Sequence, residues 1–184
     1  MPNSIALIVG SLREGAYTRL MGDAVKKLAP SSMTFVDVSI GDLPFYNQDL
    51  ETATPPATWT RFRSQVGASA AVLFVTPEYN RGMPGALKNA LDVGTRPWGH
   101  SVWSGKPTAV ISVTPGALGG MAAHQQLRHT LSVINSPTLP GPEVYIPGAA
   151  GLFDEAGQLK NAETAKLLTG LLQAFEVWIG RFHP

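Results

Sequence analysis

The sequence predicts an α/β fold in which a doubly wound, five-stranded parallel sheet carries helices on both faces. Short apolar runs alternate regularly with segments whose apolar residues recur at helical spacing, and this alternation is typical of parallel sheets. The apolar runs are compact and aliphatic, as expected for strands that are buried on both faces. Neither an internal repeat nor a linker divides the 184 residues, so we expect one domain over residues 1–184.

The first half of the chain begins with two strands and two helices. Ser4–Val9 is an aliphatic run that predicts the first strand, and Met33–Val38 predicts the second. Between them, apolar residues at helical spacing predict a helix over Thr18–Leu28, which Pro30 ends. Two prolines, tolerated in a first turn, predict that the second helix covers Pro55–Gly67.

The rest of the chain continues the alternation of strand and helix. Its apolar runs again have strand length, and the helix expected after the fourth strand carries Leu127, Leu131 and Ile134 along one side. The six remaining elements, beginning with a strand and then alternating, are predicted at Ala70–Thr76, Pro84–Val93, Pro107–Thr114, Met121–Ile134, Glu143–Ile146 and Ala162–Phe182. This order places three loops at the carboxyl ends of the first, third and fourth strands.

Composition excludes several classes of function. The formal net charge is +1 without any long basic run, which argues against nucleic-acid binding, and the absence of cysteine excludes disulfides, thiolate nucleophiles and cysteine-bound metals. No segment approaches the roughly 20 apolar residues that span a bilayer. The apolar run Ile5–Val9 is too short for a signal peptide and lacks a basic lead-in. We therefore expect a cytoplasmic protein with neither membrane nor nucleic-acid partners.

The loop of residues 10–18, called the first loop below, is suited to an anion. Ligands of an open parallel sheet bind outside the carboxyl ends of its strands, and this loop joins a strand to a helix N-terminus there. Arg13 and the hydroxyls of Ser11 and Thr18 favour a phosphate at that position. The alternative is an ordinary turn in which Thr18 caps the helix. Leu12 stands where the dinucleotide-binding pattern G-x-G-x-x-G needs glycine, and the Gly-Lys-Ser/Thr of a P-loop is absent from the sequence.

Two more loops follow the third and fourth strands. The second loop, residues 76–85, holds Tyr79 and Asn80 between prolines, and it predicts either a wall for a flat heteroaromatic ligand or a well-capped turn. The third loop, residues 114–120, contains three glycines, which suit either a backbone pressed against a ligand or a flexible strand-to-helix turn. Each loop alone is weak evidence. Their common position at one edge of the sheet predicts a single ligand site.

These segments resemble the NADPH-dependent FMN reductase family, which includes bacterial quinone, azo-dye and chromate reductases of the flavodoxin-like fold. The resemblance rests on G-S-L-R at 10–13, on P-E-Y-N-R-G-M-P-G-A-L-K-N-A-L-D at 77–92 and on T-P-G-A-L-G-G at 114–120. It extends over nearly the whole chain, including L-P-F-Y-N at 43–47 and P-E-V-Y at 142–145.

The resemblance implies FMN as a bound cofactor and NADPH or NADH as a co-substrate. It implies that the phosphate is held by Ser11, Arg13 and Thr18. The residues implied to flank the isoalloxazine ring are Pro77, Glu78, Tyr79 and Asn80. The residues implied to approach the other edge of the ring are Thr114, Gly116, Gly119 and Gly120. The implied reaction is ping-pong: NAD(P)H gives a hydride to the flavin and leaves, and a small oxidised acceptor then takes the electrons. No catalytic protein residue is expected, because the flavin carries the redox chemistry.

Two positions depart from the family pattern, and one further property follows from the resemblance. Similar proteins usually have serine where this chain has Ala16 and asparagine where it has Thr18. A lost neutral hydrogen bond is worth about 0.5–1.5 kcal/mol, so cofactor binding is expected to weaken without being lost. Relatives are usually dimers in which a second subunit completes the flavin pocket, so we expect a homodimer or homotetramer. Trp98 and Trp103 are candidates for that interface, with core packing as the alternative.

Several alternatives stay open at this point. The first is a flavodoxin-like electron carrier, although such carriers typically have a strongly acidic surface that this chain lacks. A flavin-free regulatory or scaffold protein is a second. Glu78 either acts as a general base or, more plausibly, orients its loop. Arg128 and Glu143 form an ion pair or are plain surface residues. A metal is not expected at His124 and His129, because residues five apart in a helix do not share a face.

Overall fold

The computed structural model describes residues 3–182, and within them the predicted α/β architecture is confirmed. All strand pairings are parallel, and the spatial order of the strands is β2-β1-β3-β4-β5. This is the order of a flavodoxin-like sheet, in which the direction of winding reverses between β1 and β3. The strands, in chain order, are β1 Asn3–Val9, β2 Met33–Asp37, β3 Ala71–Thr76, β4 Thr108–Val113 and β5 Val144–Ile146.

The helices agree with the prediction except at their ends. They are α1 Tyr17–Leu28, α2 Ala57–Ala68, α3 Gly85–Gly94, α4 Met121–Val133 and α5 Ala162–Gly180. Pro56 and Pro84 were expected inside α2 and α3, but both are N-cap residues with non-helical backbone, so α2 begins two residues later than predicted and α3 one residue later. Two short 3-10 helices, at Gln48–Leu50 and Ala149–Gly151, were not predicted.

The sheet separates two hydrophobic cores. Because side chains alternate along a strand, Ile5 and Leu7 of β1 pack with α1 and α5, whereas Ala6 and Ile8 pack with α2, α3 and α4. Full burial of a large aliphatic side chain contributes about 1.5–3 kcal/mol, and β1, β3 and β4 are buried on both faces. The central strands are therefore the rigid base from which the three loops project.

Trp103 belongs to the core on the α2–α4 side, so its proposed place at a subunit interface is wrong. Its side chain is fully buried, packs against Phe62 and Phe74, and donates from Nε1 to the carbonyl oxygen of Leu91 at 2.9 Å. A Cβ at Gly94 would collide with its indole ring. The local sequence does not reveal this burial, since the glycine that makes room lies nine residues earlier.

Other expectations about individual side chains have mixed outcomes. Arg128 and Glu143 do form an ion pair, with Nε and Oε1 3.6 Å apart. Trp98 is 84% exposed, as an interface residue would be in an isolated chain. His124 is buried and His129 exposed, so the two imidazoles face different surroundings. Within the described part of the chain, none of the helices has the length and apolar character needed to cross a bilayer.

Candidate functional site

The first, second and third loops meet at the carboxyl edge of β1, β3 and β4 and enclose a cleft. The cavity there has a volume of about 240 Å³. Its lining residues come from all three loops and the end of β4: Ser11, Arg13, Ala16, Tyr17, Thr18, Pro77, Glu78, Tyr79, Val113, Thr114 and Pro115. A larger cavity of about 390 Å³ lies between α1 and the segment 156–165, but it is remote from the switch point and the three loops do not line it. We therefore take the smaller cleft as the site.

Gly10 allows the first and second loops to approach each other. Its N–H donates to the carbonyl oxygen of Val75 at 2.9 Å, which continues the β1–β3 pairing into the loop. A Cβ at this position would lie 3.1 Å from Cδ of Pro77 and 3.3 Å from Cδ2 of Leu87, closer than most real contacts. Glycine is thus needed here for packing between the loops.

Helix α1 begins without a side-chain cap. Ala16 is the N-cap residue, with φ −65° and ψ 139°, and it has no side chain that accepts a hydrogen bond. The alternative in which Thr18 caps the helix is therefore wrong, because Thr18 is already the second helical residue. The first N–H groups of a helix have no intrahelical acceptor and carry the positive end of its dipole. At the floor of the cleft, these groups favour an anion.

Thr18 supplies a second feature that favours a polar ligand at this helix terminus. This residue is 1% exposed and borders the cleft, and its Oγ1 has no hydrogen-bond partner among residues 3–182. A buried hydroxyl without a partner costs about 1–3 kcal/mol. Nearby, Ser11 Oγ lies 3.0 Å from Tyr79 Oη and accepts from the N–H of Arg13 at 3.4 Å. Arg13 is exposed, and within the described part of the chain its guanidinium bonds only to the carbonyl oxygen of Glu14.

The second loop contains a tight two-residue turn. Tyr79 and Gly82 pair through both N–H···O bonds, each 3.0 Å long. Asn80 and Arg81 between them have φ of 51° and 64°, in the left-handed region. Asparagine is one of the few non-glycine residues that adopts this conformation readily. Asn80 is exposed and does not line the cleft, so its place in the turn accounts for its identity.

Glu78 connects the second loop to the start of α4. Its Oε2 accepts a hydrogen bond from the N–H of Ala123 at 3.1 Å, and its Oε1 lies 3.1 Å from Nη1 of Arg81. Helix α4 has Gly120 as its N-cap residue and cannot cap itself, so the carboxylate of Glu78 caps it from another loop. Both oxygens are thus engaged, which agrees with the expectation that Glu78 orients its loop.

The glycines of the third loop do not line the cleft, and two of them pack closely against neighbouring strands. A Cβ on Gly119 would lie 2.8 Å from the carbonyl carbon of Tyr145, and one on Gly120 would lie 3.1 Å from Cβ of Ser112. Both residues also have positive φ, of 60° and 80°. These two glycines therefore allow the loop to pack on β4 and β5, whereas Gly116 is exposed outside the cleft.

Of the residues named from the sequence, those that border the cleft are Ser11, Arg13, Thr18, Pro77, Glu78, Tyr79 and Thr114. Asn80, Gly116, Gly119 and Gly120 support the loops without lining it. The structure adds Tyr17, Val113 and Pro115, and it places Ala16 inside the lining. Pro115 stands directly between two predicted residues, which was the available signal. Tyr17 had a similar signal, since it directly precedes Thr18 in the first loop, but the stacking of its ring on Phe153, 136 residues away, leaves no local pattern.

His124 occupies the first turn of α4, just below the second loop. It is fully buried, and neither ring nitrogen has a hydrogen-bond partner. Burial, reinforced by the nearby charge of Arg128, lowers the pKa of His124 to about 4. Its ring packs edge-on against Tyr145 with centroids 4.6 Å apart. Among residues 3–182, no three histidine or carboxylate side chains cluster closely enough to hold a metal ion.

Comparison with known proteins agrees with this geometry. The profile of one family, described as NADPH-dependent FMN reductase, matches residues 3–151. A quinone reductase from Pseudomonas putida is 52% identical over 176 residues, which cover 96% of this chain and 94% of that protein. A 2-hydroxy-1,4-benzoquinone reductase from a Burkholderia species is 39% identical over 179 residues, 97% of each chain.

A solved structure extends the likeness to three dimensions. FerB from Paracoccus denitrificans, described as a flavoenzyme NAD(P)H:(acceptor) oxidoreductase, superimposes with a TM-score of 0.92 at 39% sequence identity. The superposition covers 98% of both chains. The likeness therefore includes the three loops as well as the sheet.

Proposed function

This chain belongs to the NADPH-dependent FMN reductase family, and from that premise we propose that it reduces quinones or similar flat oxidised acceptors with electrons from NADPH or NADH. The observation that supports the proposal most directly is the cleft at the switch point of the sheet. It combines an uncapped helix N-terminus, a buried hydroxyl without a partner and aromatic and proline side chains.

The lining residues fit FMN. We propose that the phosphate binds at the N-terminus of α1, where Ser11, Arg13 and Thr18 supply donors and the orphaned Oγ1 of Thr18 gains a partner. Pro77 and Tyr79 then flank the ring, and Thr114 lies on the opposite side of the cleft. We propose that Asn80, Gly116, Gly119 and Gly120 act by holding the loops in shape.

When bound, FMN supplies the redox chemistry, accepting a hydride from the nicotinamide and passing electrons to the acceptor. The protein's own residues bind, orient and exclude water. Glu78 is committed to capping α4 and pairing with Arg81, so it holds the loop and does not serve as a general base. We therefore propose ping-pong turnover without a catalytic protein acid or base.

An electron carrier without its own NAD(P)H turnover is the contrasting function. Its docking to redox partners would favour a strongly charged surface, whereas this chain has a formal net charge of +1 and an arginine in the first loop. The relatives quoted above carry reductase names, which favours the enzyme.

We further propose that residues 1–184 form one domain that works in the cytoplasm as a homodimer or homotetramer. One sheet with a core on each face supports the single domain. Phe45 and Trp98 are 80% and 84% exposed, and such large apolar side chains favour a partner surface. Light scattering at micromolar concentrations tests the assembly, and a monomer mass throughout would contradict it.

The test of the function has three steps. Purified protein should show the yellow absorbance of FMN after reconstitution, oxidise NADPH or NADH steadily with a quinone, and give parallel double-reciprocal plots at several quinone concentrations. Glu78→Gln should lower turnover by less than the roughly 10²–10⁴-fold expected on removing a general base. Flavin reduction without turnover would favour the carrier, and intersecting plots would reject the ping-pong scheme.

A further inference from the structure

Two side-chain hydrogen bonds join the second loop to α4, one made by a side chain of the loop and the other by a side chain of the helix. Glu78 in the loop accepts from the N–H of Ala123 in α4 at 3.1 Å. In the opposite sense, Gln126 in α4 accepts through Oε1 from the N–H of Met83 in the loop at 2.7 Å. Ala123 and Gln126 are three residues apart, so they lie on one face of the helix. The two bonds bracket the Tyr79–Gly82 turn.

The turn between these bonds needs external support. Arg81 follows Asn80 with a positive φ that is unfavourable for most residues other than glycine and asparagine, and such a conformation persists only when neighbouring structure holds it. Pro84 lacks an N–H, so Met83 has the last backbone donor before α3. Gln126 takes that donor. It therefore fixes the second loop where the chain leaves the turn.

The absence of a side chain at Gly82 leaves room for the same contact. A Cβ at this position would lie 3.2 Å from Oε1 of Gln126, closer than nine in ten real contacts. Gly82 has ordinary φ, so the conformation of the turn does not by itself call for glycine there. The space left by its missing side chain is occupied by the amide of Gln126. The glycine in the loop and the glutamine in the helix thus form one structural unit.

We propose that Gln126 is a positioning residue for the flavin ring. It does not border the cleft, and it acts by holding Met83, and with it the wall formed by Pro77 and Tyr79, in the conformation that receives the ring. This inference rests on the proposed function. If the loop is in the binding conformation for only a fraction of the time, the apparent dissociation constant rises by the inverse of that fraction. Loss of one neutral hydrogen bond corresponds to about 2–10-fold.

Three variants test the proposal. Gln126→Met keeps the length of the side chain but removes the acceptor, Gln126→Glu keeps an acceptor oxygen, and Gln125→Met alters the adjacent glutamine, whose amide bonds to Glu143 and Tyr145 instead. FMN affinity is measured by fluorescence titration, and hydrogen exchange at the N–H of Met83 is measured by NMR in flavin-free protein. We expect Gln126→Met to weaken FMN by about 2–10-fold and to speed exchange at Met83 by a similar factor. Gln126→Glu and Gln125→Met should stay close to the unaltered protein.

The proposal is overturned if Gln126→Met and Gln125→Met change FMN affinity equally, because the effect would then be general. It is also overturned if exchange at Met83 is unchanged in Gln126→Met. Failure of the proposed function looks different: the unaltered protein would bind no FMN, while exchange at Met83 would still report whether Gln126 holds the loop.

Discussion

The first and second loops both line the cleft but are built in opposite ways. The first loop leaves polar groups open: α1 starts at an uncapped Ala16, and the hydroxyl of Thr18 is buried without a partner. In the second loop, Glu78 is bonded on both oxygens and the Met83 N–H has an acceptor in α4. We therefore expect the proposed phosphate end of the site to be completed by its ligand, whereas the proposed ring wall is already complete without one.

Because of this difference, substitutions in the two loops should affect different properties of the protein. Changes in the first loop should alter ligand affinity with little loss of folding stability, and removal of an open group should even stabilise the ligand-free protein. Changes beneath the second loop should alter the stability of the fold, because that loop is supported by α4. Ligand affinity and folding stability measured on the same variants separate these two outcomes.

Acid should weaken the support of the second loop. The pKa of His124 is about 4 in the folded protein against an ordinary 6.5, so the fold favours the neutral form. The stability that depends on neutral His124 is complete above pH 6.5 and is lost as the pH falls from 6.5 towards 4, by up to about 3 kcal/mol. Urea unfolding across this range measures it. His124→Phe should flatten the dependence of the unfolding free energy on pH, whereas His129→Gln, at an exposed site, should not. Equal slopes in the unaltered protein and both variants would contradict the assignment of this pH dependence to His124.

Arg13→Ala should weaken FMN binding by about 1–3 kcal/mol, the range for a lost charge-assisted hydrogen bond. Folding stability should hardly change, because the guanidinium is exposed and bonds only to the carbonyl oxygen of Glu14. Arg19→Ala is the matched control, since Arg19 stands in the first turn of α1, next to the first loop, but pairs with Asp37 and does not line the cleft. Fluorescence titration that shows equal affinities in the two variants would remove Arg13 from the phosphate site.

Thr18→Val should move affinity and stability in opposite directions. Valine has the shape of threonine without the hydroxyl, so FMN binding should weaken by about 0.5–1.5 kcal/mol while the ligand-free protein gains about 1 kcal/mol. Ser112→Ala is the control, because Ser112 Oγ is also buried without a partner but does not border the cleft. It should raise stability and leave FMN affinity unchanged. A ligand-free Thr18→Val that is less stable would show that the hydroxyl has a partner in the fold.

Ala16→Ser should give the smallest effect, a gain in FMN affinity of up to about 1 kcal/mol. The added hydroxyl stands at the N-cap of α1, inside the lining of the cleft, where both phosphate and helix N–H groups need partners. The titration used for Arg13→Ala measures it. Weaker binding would mean that the buried position has no room for the oxygen, and the first loop would then follow a different path from that of its relatives.

The sequence predicts most of the fold and the three loops that form the site, but not the contacts that hold those loops in place. Strands such as Ala71–Thr76 are recognisable because burial on both faces requires an unbroken apolar run. The helix starts were less predictable. Ala16 has no side chain that marks it as an N-cap residue, and Pro56 fits either the N-cap or the first helical position. The roles of Trp103 and Gly119 depend on what lies opposite them, Gly94 in one case and Tyr145 in the other. Such contacts between distant segments leave no local pattern.

The contrasting burial of the tryptophans provides an optical probe of assembly. Trp59 and Trp103 are sealed within the protein, whereas the indole of Trp98 is almost entirely in water beneath the guanidinium of Arg96. In a Trp178→Phe variant, which removes the partly exposed fourth indole, iodide in solution therefore reaches Trp98 readily and leaves the two sealed indoles emitting. If subunits associate through this surface, the quenchable part of the emission shrinks as the protein concentration rises. The unlabelled chain thus reports the coverage of Trp98 in any fluorimeter.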